Sequence, residues 1–147
     1  MTISVTSDRA SMDVALIHAF LSQTSYWAKN IPRATVERAI EHSLCFGAFD
    51  SDREVALDGD AQVGFARVIT DYATFAYLAD VFVLPSHRGR GIAKQIMDAI
   101  AQHSELHGLR RWHLVTRDAH ALYAQFGFEP IDAPERHMMK VLRNAYE

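Results

Sequence analysis

Residues 80–101, DVFVLPSHRGRGIAKQIMDAIA, run from strand to glycine-containing loop to helix without a break, and this succession restricts the chain to α/β architectures. Val81, Phe82, Val83 and Leu84 form a short β-branched, aromatic and aliphatic run suited to a buried strand. Pro85, which has no N–H to donate, closes it. Ser86 to Arg90 is polar and basic. From Ile92 the apolar residues recur at Ile92, Ile96, Met97 and Ile100, the spacing of a helix with one buried face. The pattern predicts a helix from Gly89–Gly91 to about His107-Gly108.

The start of such a helix carries backbone N–H groups without intrahelical partners and the positive end of the helix dipole. Gly89 and Gly91 let an anion approach the backbone, and Arg88, Arg90 and Lys94 add full charges around the same turn. A diphosphate suits this chemistry. A glycine-rich turn that binds nothing is the plainer alternative. Two other phosphate loops are excluded: Gly89-Arg-Gly91-Ile-Ala-Lys94 lacks the third glycine of G-x-G-x-x-G, and G-x-x-x-x-G-K-[S/T] is absent.

The chain has 147 residues, 49% hydrophobic and 22% charged, which predicts a single domain over 1–147 with a sizeable core. A net charge of -3 argues against a general nucleic-acid or anionic-membrane surface and makes the basic cluster local, as for a small anionic ligand. One cysteine, Cys45, cannot pair within the chain, and no apolar run is long enough to span a bilayer, so a cytoplasmic location is expected. Cys45 lies in an apolar strand-like run and reads as a buried thiol rather than a nucleophile.

In order along the chain, Ile3–Thr6 reads as a strand, and Ser11 as the cap of a helix bearing Val14, Ile17, His18 and Leu21. An aromatic stretch follows, Ser25-Tyr-Trp-Ala-Lys-Asn-Ile-Pro32, then a helix over Thr35–His42. Leu44–Phe49, Ala61–Ile69 and Phe75–Leu84 read as an antiparallel meander, with a polar hairpin around Asp58-Gly59-Asp60 and a turn at Asp71–Thr74. Arg110–Thr116 is a strand expected to return parallel to Phe75–Leu84. Asp118 is the expected cap of a helix over Ala119–Phe126, with Gly127 its stop, and Phe128–Ile131 and His137–Arg143 are expected closing strands. His103 and His107 stand four apart, but Glu105 is misplaced for H-E-x-x-H, so no metal site is expected.

Arg88-Gly89-Arg90-Gly91-Ile92-Ala93 resembles the R/Q-x-x-G-x-G/A signature of the GCN5-related N-acetyltransferases (GNAT), and the preceding DVFVLP strand extends the likeness. Ala119-x-x-Leu122-Tyr123-x-x-x-Gly127-Phe128 resembles a later segment of the same family, whereas the first fifty or so residues resemble it weakly. The resemblance implies an α/β fold with a mixed, mostly antiparallel central sheet flanked by helices. It further implies that the loop of Arg88, Gly89, Arg90, Gly91, Ile92, Ala93 and Lys94 holds the pyrophosphate of acetyl-coenzyme A. The main chain of Val81 and Val83 would bind the pantetheine arm beside a bulge in the strand.

By the same resemblance, Tyr123 would donate a proton to the departing thiolate, and Tyr26 and Trp27 would form an aromatic wall for the acceptor; paired core anchors are the alternative for the latter. Asp80 is the candidate base, in Tyr77-Leu-Ala-Asp-Val-Phe-Val83, which resembles Y-L-E-D-x-x-V but has Ala79 where a glutamate stands. A hydrogen-bonded structural carboxylate or a water chain stays open there. His120 is read as a solvated helix-start residue.

The expected activity is acetyl transfer to a primary amine of a small molecule or peptide by direct attack. A non-catalytic acyl-coenzyme A sensor on the same fold, or a nucleotide-binding α/β enzyme, are the rivals. The sequence leaves acceptor identity, acyl preference and the choice of monomer or homodimer open.

Overall fold

The computed structural model describes residues 2–54 and 60–147; the expected turn at Asp58-Gly59 lies outside the described residues. Five strands, β1 (Ile3–Thr6), β2 (Leu44–Glu54), β3 (Asp60–Thr70), β4 (Phe75–Val83) and β5 (Arg111–Leu114), form one sheet in the order β1-β2-β3-β4-β5. The first four are antiparallel neighbours, and β5 lies parallel to β4. Asp71 sets the β3–β4 turn: its Oδ1 accepts from the N–H groups of Ala73 and Thr74 at 2.9 and 2.8 Å. Those bonds, led by the one from the Thr74 hydroxyl to Oδ2, hold its carboxyl well below the usual carboxylate range.

Helices cover both faces. On one, α3 (Ile92–Gln102) buries Ile92, Ile96, Met97 and Ile100 against Val63, Val68 and Leu78, the four residues singled out by their spacing. On the other, α1 (Val14–Ala19) and α2 (Arg33–Glu41) bury Ile17, Val36 and Ile40 with Phe20, Cys45, Phe65 and Phe82. The Cys45 thiol is buried, and that burial pushes its pKa up to about 11. Native protein is therefore expected to resist thiol alkylation near neutral pH and to react only on denaturation, which mass spectrometry of the alkylated chain checks.

Several expected boundaries are corrected. Asp13, not Ser11, caps α1, its Oδ1 accepting from the Leu16 N–H at 3.1 Å; Ser11 ends a preceding short 3-10 turn. α3 stops at Gln102 rather than near Gly108, because His103 is extended and Ser104–Leu106 make a separate 3-10 turn that buries Leu106. His103 and His107 therefore do not share a helix. α4 spans His120–Ala124, and Asp118 does not cap it: the N-cap is Ala119, which has no polar side chain, and the Ala119 N–H donates instead to the Thr116 hydroxyl at 3.0 Å, two residues farther from the helix than Asp118.

Neither closing strand forms. Pro130 removes a donor and Ala133 turns left-handed (φ 55°), which breaks the run from Phe128, while 137–147 pairs with no strand among the described residues.

Candidate functional site

The glycine loop is pinned from beneath. Pro85–His87 make a 3-10 turn that buries His87, whose Nε2 lies 2.9 Å from Asp50 Oδ2 and whose Nδ1 lies 2.8 Å from the Ser86 hydroxyl. The hydrogen bond from His87, with a second from the Asp52 N–H, keeps the Asp50 carboxyl below its ordinary pKa. Above this anchor Gly89 and Gly91 both take φ 76°, a left-handed conformation that side chains resist.

A Cβ at either glycine would meet no atom within 4 Å, so the space over the loop is open. Gly91 is the N-cap of α3 and offers no side-chain acceptor to its first turn. The loop borders a depression of about 260 Å³ lined by Val83, Arg88, Gly89, Gly91, Ile92, Ala93 and Lys94, together with Leu122 of α4 and Gln125 just after it. Arg88 Nε also donates to the Val83 carbonyl at 3.1 Å, tying the loop to the end of β4.

β4 is irregular where the resemblance implies a bulge. Arg67 faces Ala79 and Phe65 faces Phe82, so Asp80 and Val81 together oppose a single residue of β3, and Asp80 takes φ 54°. The β4–β5 register ends at Leu78 opposite Leu114. Beyond Leu78, β4 has no partner in β5 and pairs with β3 alone, through Ala79, Phe82 and Val83.

Tyr123 sits on α4, its ring buried and 6.0 Å from Phe128. Among the described residues its hydroxyl makes no hydrogen bond, and no buried polar side-chain atom is left without one, so the hydroxyl reaches solvent. Burial first, then Tyr26 and Asp118, push its pKa up to about 12. It is a neutral donor with nothing to donate to among the described residues.

Tyr26 and Trp27 are about half exposed and stand on a stack of core rings: Phe82 on Phe20 at 4.0 Å, Phe20 to Trp27 at 6.5 Å, Trp27 to Tyr26 at 5.0 Å. Trp27 Nε1–H donates to Asp80 Oδ1 at 2.8 Å. Arg67 Nε donates to Asp80 Oδ2 at 2.9 Å in a largely buried ion pair, and its Nη1 reaches the Ser43 hydroxyl. Tyr26 accepts from the Arg117 N–H at 3.1 Å while the Arg117 guanidinium lies 3.9 Å from its ring centre.

The loop after α1 is thereby latched to the β4 bulge and to the loop before α4. Sequence reasoning missed Arg67, although a charged residue between Ala66 and Val68 in a strand was the available signal. It also missed the Asp50–His87 anchor, for which no local pattern exists. His120 is exposed, as expected.

The profile described as "Acetyltransferase (GNAT) domain" matches residues 42–130. The chain belongs to the GNAT acetyltransferase family. A candidate acetyltransferase of Gibberella zeae is 33% identical over 136 residues, covering 82% of this chain and 75% of that protein. The crystal structure of a candidate GNAT acetyltransferase from Xanthomonas campestris pv. campestris is 53% identical with a TM-score of 0.90, over 99% of this chain and 97% of that one.

A Mycobacterium tuberculosis protein solved in complex with CoA and NLQ shares the fold at a TM-score of 0.61 and 20% identity, over 88% of this chain and 73% of that one. This GNAT chain is an acyltransferase, and acetyl-coenzyme A is the acyl donor of its family. Among the described residues no helix is long and apolar enough to cross a membrane.

Proposed function

We propose that this GNAT chain moves the acetyl group of acetyl-coenzyme A to a primary amine of a small molecule or peptide by direct attack, in the cytoplasm and as a single domain over 1–147. The observation that carries this reading is the free phenol of Tyr123 on a helix that lines the same depression as Gly89 and Gly91. A sensor that only bound the cofactor would have no need of an unpaired donor on that helix.

The pyrophosphate fits over the loop, where the N–H groups around Gly89, Gly91, Ile92 and Ala93 lie uncovered and Arg88, Arg90 and Lys94 supply charge. The pantetheine arm lies against the main chain of Val81 and Val83, as an added strand would. The acceptor enters over Tyr26 and Trp27. Its ammonium must lose a proton before it attacks the thioester carbon. Asp80 is the acceptor for that proton: each oxygen already takes one bond, from Trp27 and Arg67, and a carboxylate has lone pairs for more.

As the C–S bond breaks, Tyr123 donates a hydrogen bond to the thiolate. Full transfer from a phenol with a pKa near 12 to a thiolate of ordinary pKa near 8.5 is uphill, so the bond stabilises the leaving group and solvent completes the protonation.

Calorimetric titration with acetyl-coenzyme A, followed by a thiol-release assay over a panel of amines, tests the proposal. Binding with release for one amine class supports it; binding without release for any amine would leave the sensor reading in its place. Two variants divide the roles at the wall. Trp27→Phe keeps a ring but loses the bond to Asp80, and is expected to raise the acceptor KM several-fold with kcat little changed. Asp80→Asn is expected to lower kcat by about a hundredfold at unchanged acetyl-coenzyme A affinity. It also leaves Arg67 unpaired, at a cost in stability that a melting curve reads.

A further inference from the structure

We infer that the acceptor is an amino carboxylate, a small molecule with a free carboxylate as well as its primary amine, and that Arg117 recognises the carboxylate; this rests on the reading of Tyr26 and Trp27 as the acceptor wall. Two arginines border that wall, and they differ in how they are engaged. Arg67 is occupied within the chain, its Nε donating to Asp80 Oδ2 at 2.9 Å and its Nη1 to the Ser43 hydroxyl at 3.1 Å. Arg117 is not. Its guanidinium lies 3.9 Å from the centre of the Tyr26 ring and, among the described residues, donates no hydrogen bond and meets no carboxylate. Asp118, its neighbour on the chain, makes no ion pair with it.

The backbone fixes where Arg117 stands. Its N–H donates to the Tyr26 hydroxyl at 3.1 Å, and the Ala119 N–H donates to the Thr116 hydroxyl at 3.0 Å, so residues 116–119 are tied to the wall and to the start of α4. A guanidinium held against an aromatic ring keeps its N–H donors for a partner in its own plane, and a carboxylate matches that fork with two parallel bonds. The place is also close to the chemistry. Tyr26, on which Arg117 rests, and Asp118, next to it on the chain, are both near enough to Tyr123 to raise the pKa of its phenol.

The Asp80 side of the wall favours the same class of molecule. Asp80 is the one acid of β4, Arg67 already neutralises it, and its neighbour is Ala79. A diamine would find no second carboxylate on that strand, and Arg117 would repel its distal ammonium. An amino alcohol would leave the Arg117 donors to water. An amino carboxylate answers both, its amine toward Asp80 and its acid on Arg117. The Trp27 and Tyr26 rings, 5.0 Å between centres, separate the two charges, so acceptors of more than one length belong in the test.

Glycine, γ-aminobutyrate and ε-aminocaproate, each beside the amino alcohol and the diamine of equal length, are the probes. Calorimetry on protein saturated with coenzyme A reads recognition without turnover, and thiol release from acetyl-coenzyme A reads transfer. At least one amino carboxylate is expected to bind tenfold or more tightly than its alcohol and its diamine, the effect of a pair of charge-assisted hydrogen bonds, and the same preference is expected in kcat/KM through KM. Arg117→Gln should bring the ratio to about twofold or less, and Arg117→Lys, which keeps the charge without the fork, should give an intermediate ratio, both at the acetyl-coenzyme A affinity of the unaltered protein. The backbone bond to Tyr26 survives both substitutions. A residue that only latched Tyr26 would shift acid, alcohol and diamine alike and leave the ratio where it was. Equal affinity for acid and alcohol at every length, or a ratio that survives Arg117→Gln, would overturn the inference while transfer to amines still stood. An Arg117-dependent preference in binding without thiol release from any amine would uphold the carboxylate site and remove the transferase reading instead.

Discussion

Gly91→Glu is expected to weaken acetyl-coenzyme A binding by at least a hundredfold in a protein that still folds. Gly91 holds φ 76° at the N-cap of α3, and an added Cβ there would meet no atom within 4 Å. The glutamate therefore does not collide with the chain; it stands in the depression where the pyrophosphate lies and brings a like charge to it. Losing two charge-assisted hydrogen bonds, at about 1.5–3 kcal/mol each, costs 3 kcal/mol or more, which is two decades in Kd.

The folding cost is separate. A non-glycine residue in the left-handed region costs about 1–2 kcal/mol, a few degrees of melting temperature for a chain of this size. Gly91→Ala carries that same backbone strain with only a methyl group, so it should melt like the glutamate variant yet bind within about tenfold of the unaltered protein. Titration calorimetry and a melting curve on both variants separate blockade from strain. Unchanged affinity in Gly91→Glu would remove the loop from the cofactor site.

What could be read from the residues was local. The spacing of Ile92, Ile96, Met97 and Ile100 specified both the helix and its buried face, because four side chains on one stripe leave little choice of partner. The glycine loop was legible for the same reason, since φ 76° at Gly89 and Gly91 is a demand the sequence meets at those positions. What joins the site is long-range. Trp27 meets Asp80 across 53 residues and Tyr26 meets Arg117 across 91, contacts that depend on the α1–α2 loop folding over the β4 bulge.

The bulge itself changes which neighbours face each other, so Arg67 finds Asp80 although its register partner is Ala79. Tyr26 and Trp27 are not the paired core anchors of the plainer reading: both stand about half exposed, and the buried rings beneath them are Phe20 and Phe82. The closing strands failed at the sequence level for a related reason. A period-two pattern says that a segment can pair, but carries nothing about which edge it pairs with.

Tyr123→Phe is expected to lower kcat by about a hundredfold or more while leaving the Kd for acetyl-coenzyme A unchanged. The substitution is nearly silent for packing, because the ring stays against Phe128 and the lost hydroxyl faces solvent rather than a partner in the chain. The pH dependence then distinguishes the phenol's role from a structural one. With its pKa pushed up to about 12, only about 1% of Tyr123 is ionised at pH 10, so the donor is intact throughout the range in which amine acceptors lose their proton. The unaltered enzyme should thus gain activity with rising pH as the acceptor is freed, and show no alkaline loss from Tyr123 below about pH 11.

Stability moves the opposite way over a higher window. The unfolded phenol ionises near 10 and the folded one near 12, so the folded state binds the extra proton and its advantage is lost as pH climbs from about 10 through about 12. Denaturant midpoints followed through that window should fall in the unaltered protein and fall less in Tyr123→Phe. Full turnover in the variant with this stability difference still present would mean that the tyrosine is a buried group and no more, and that water alone meets the thiolate.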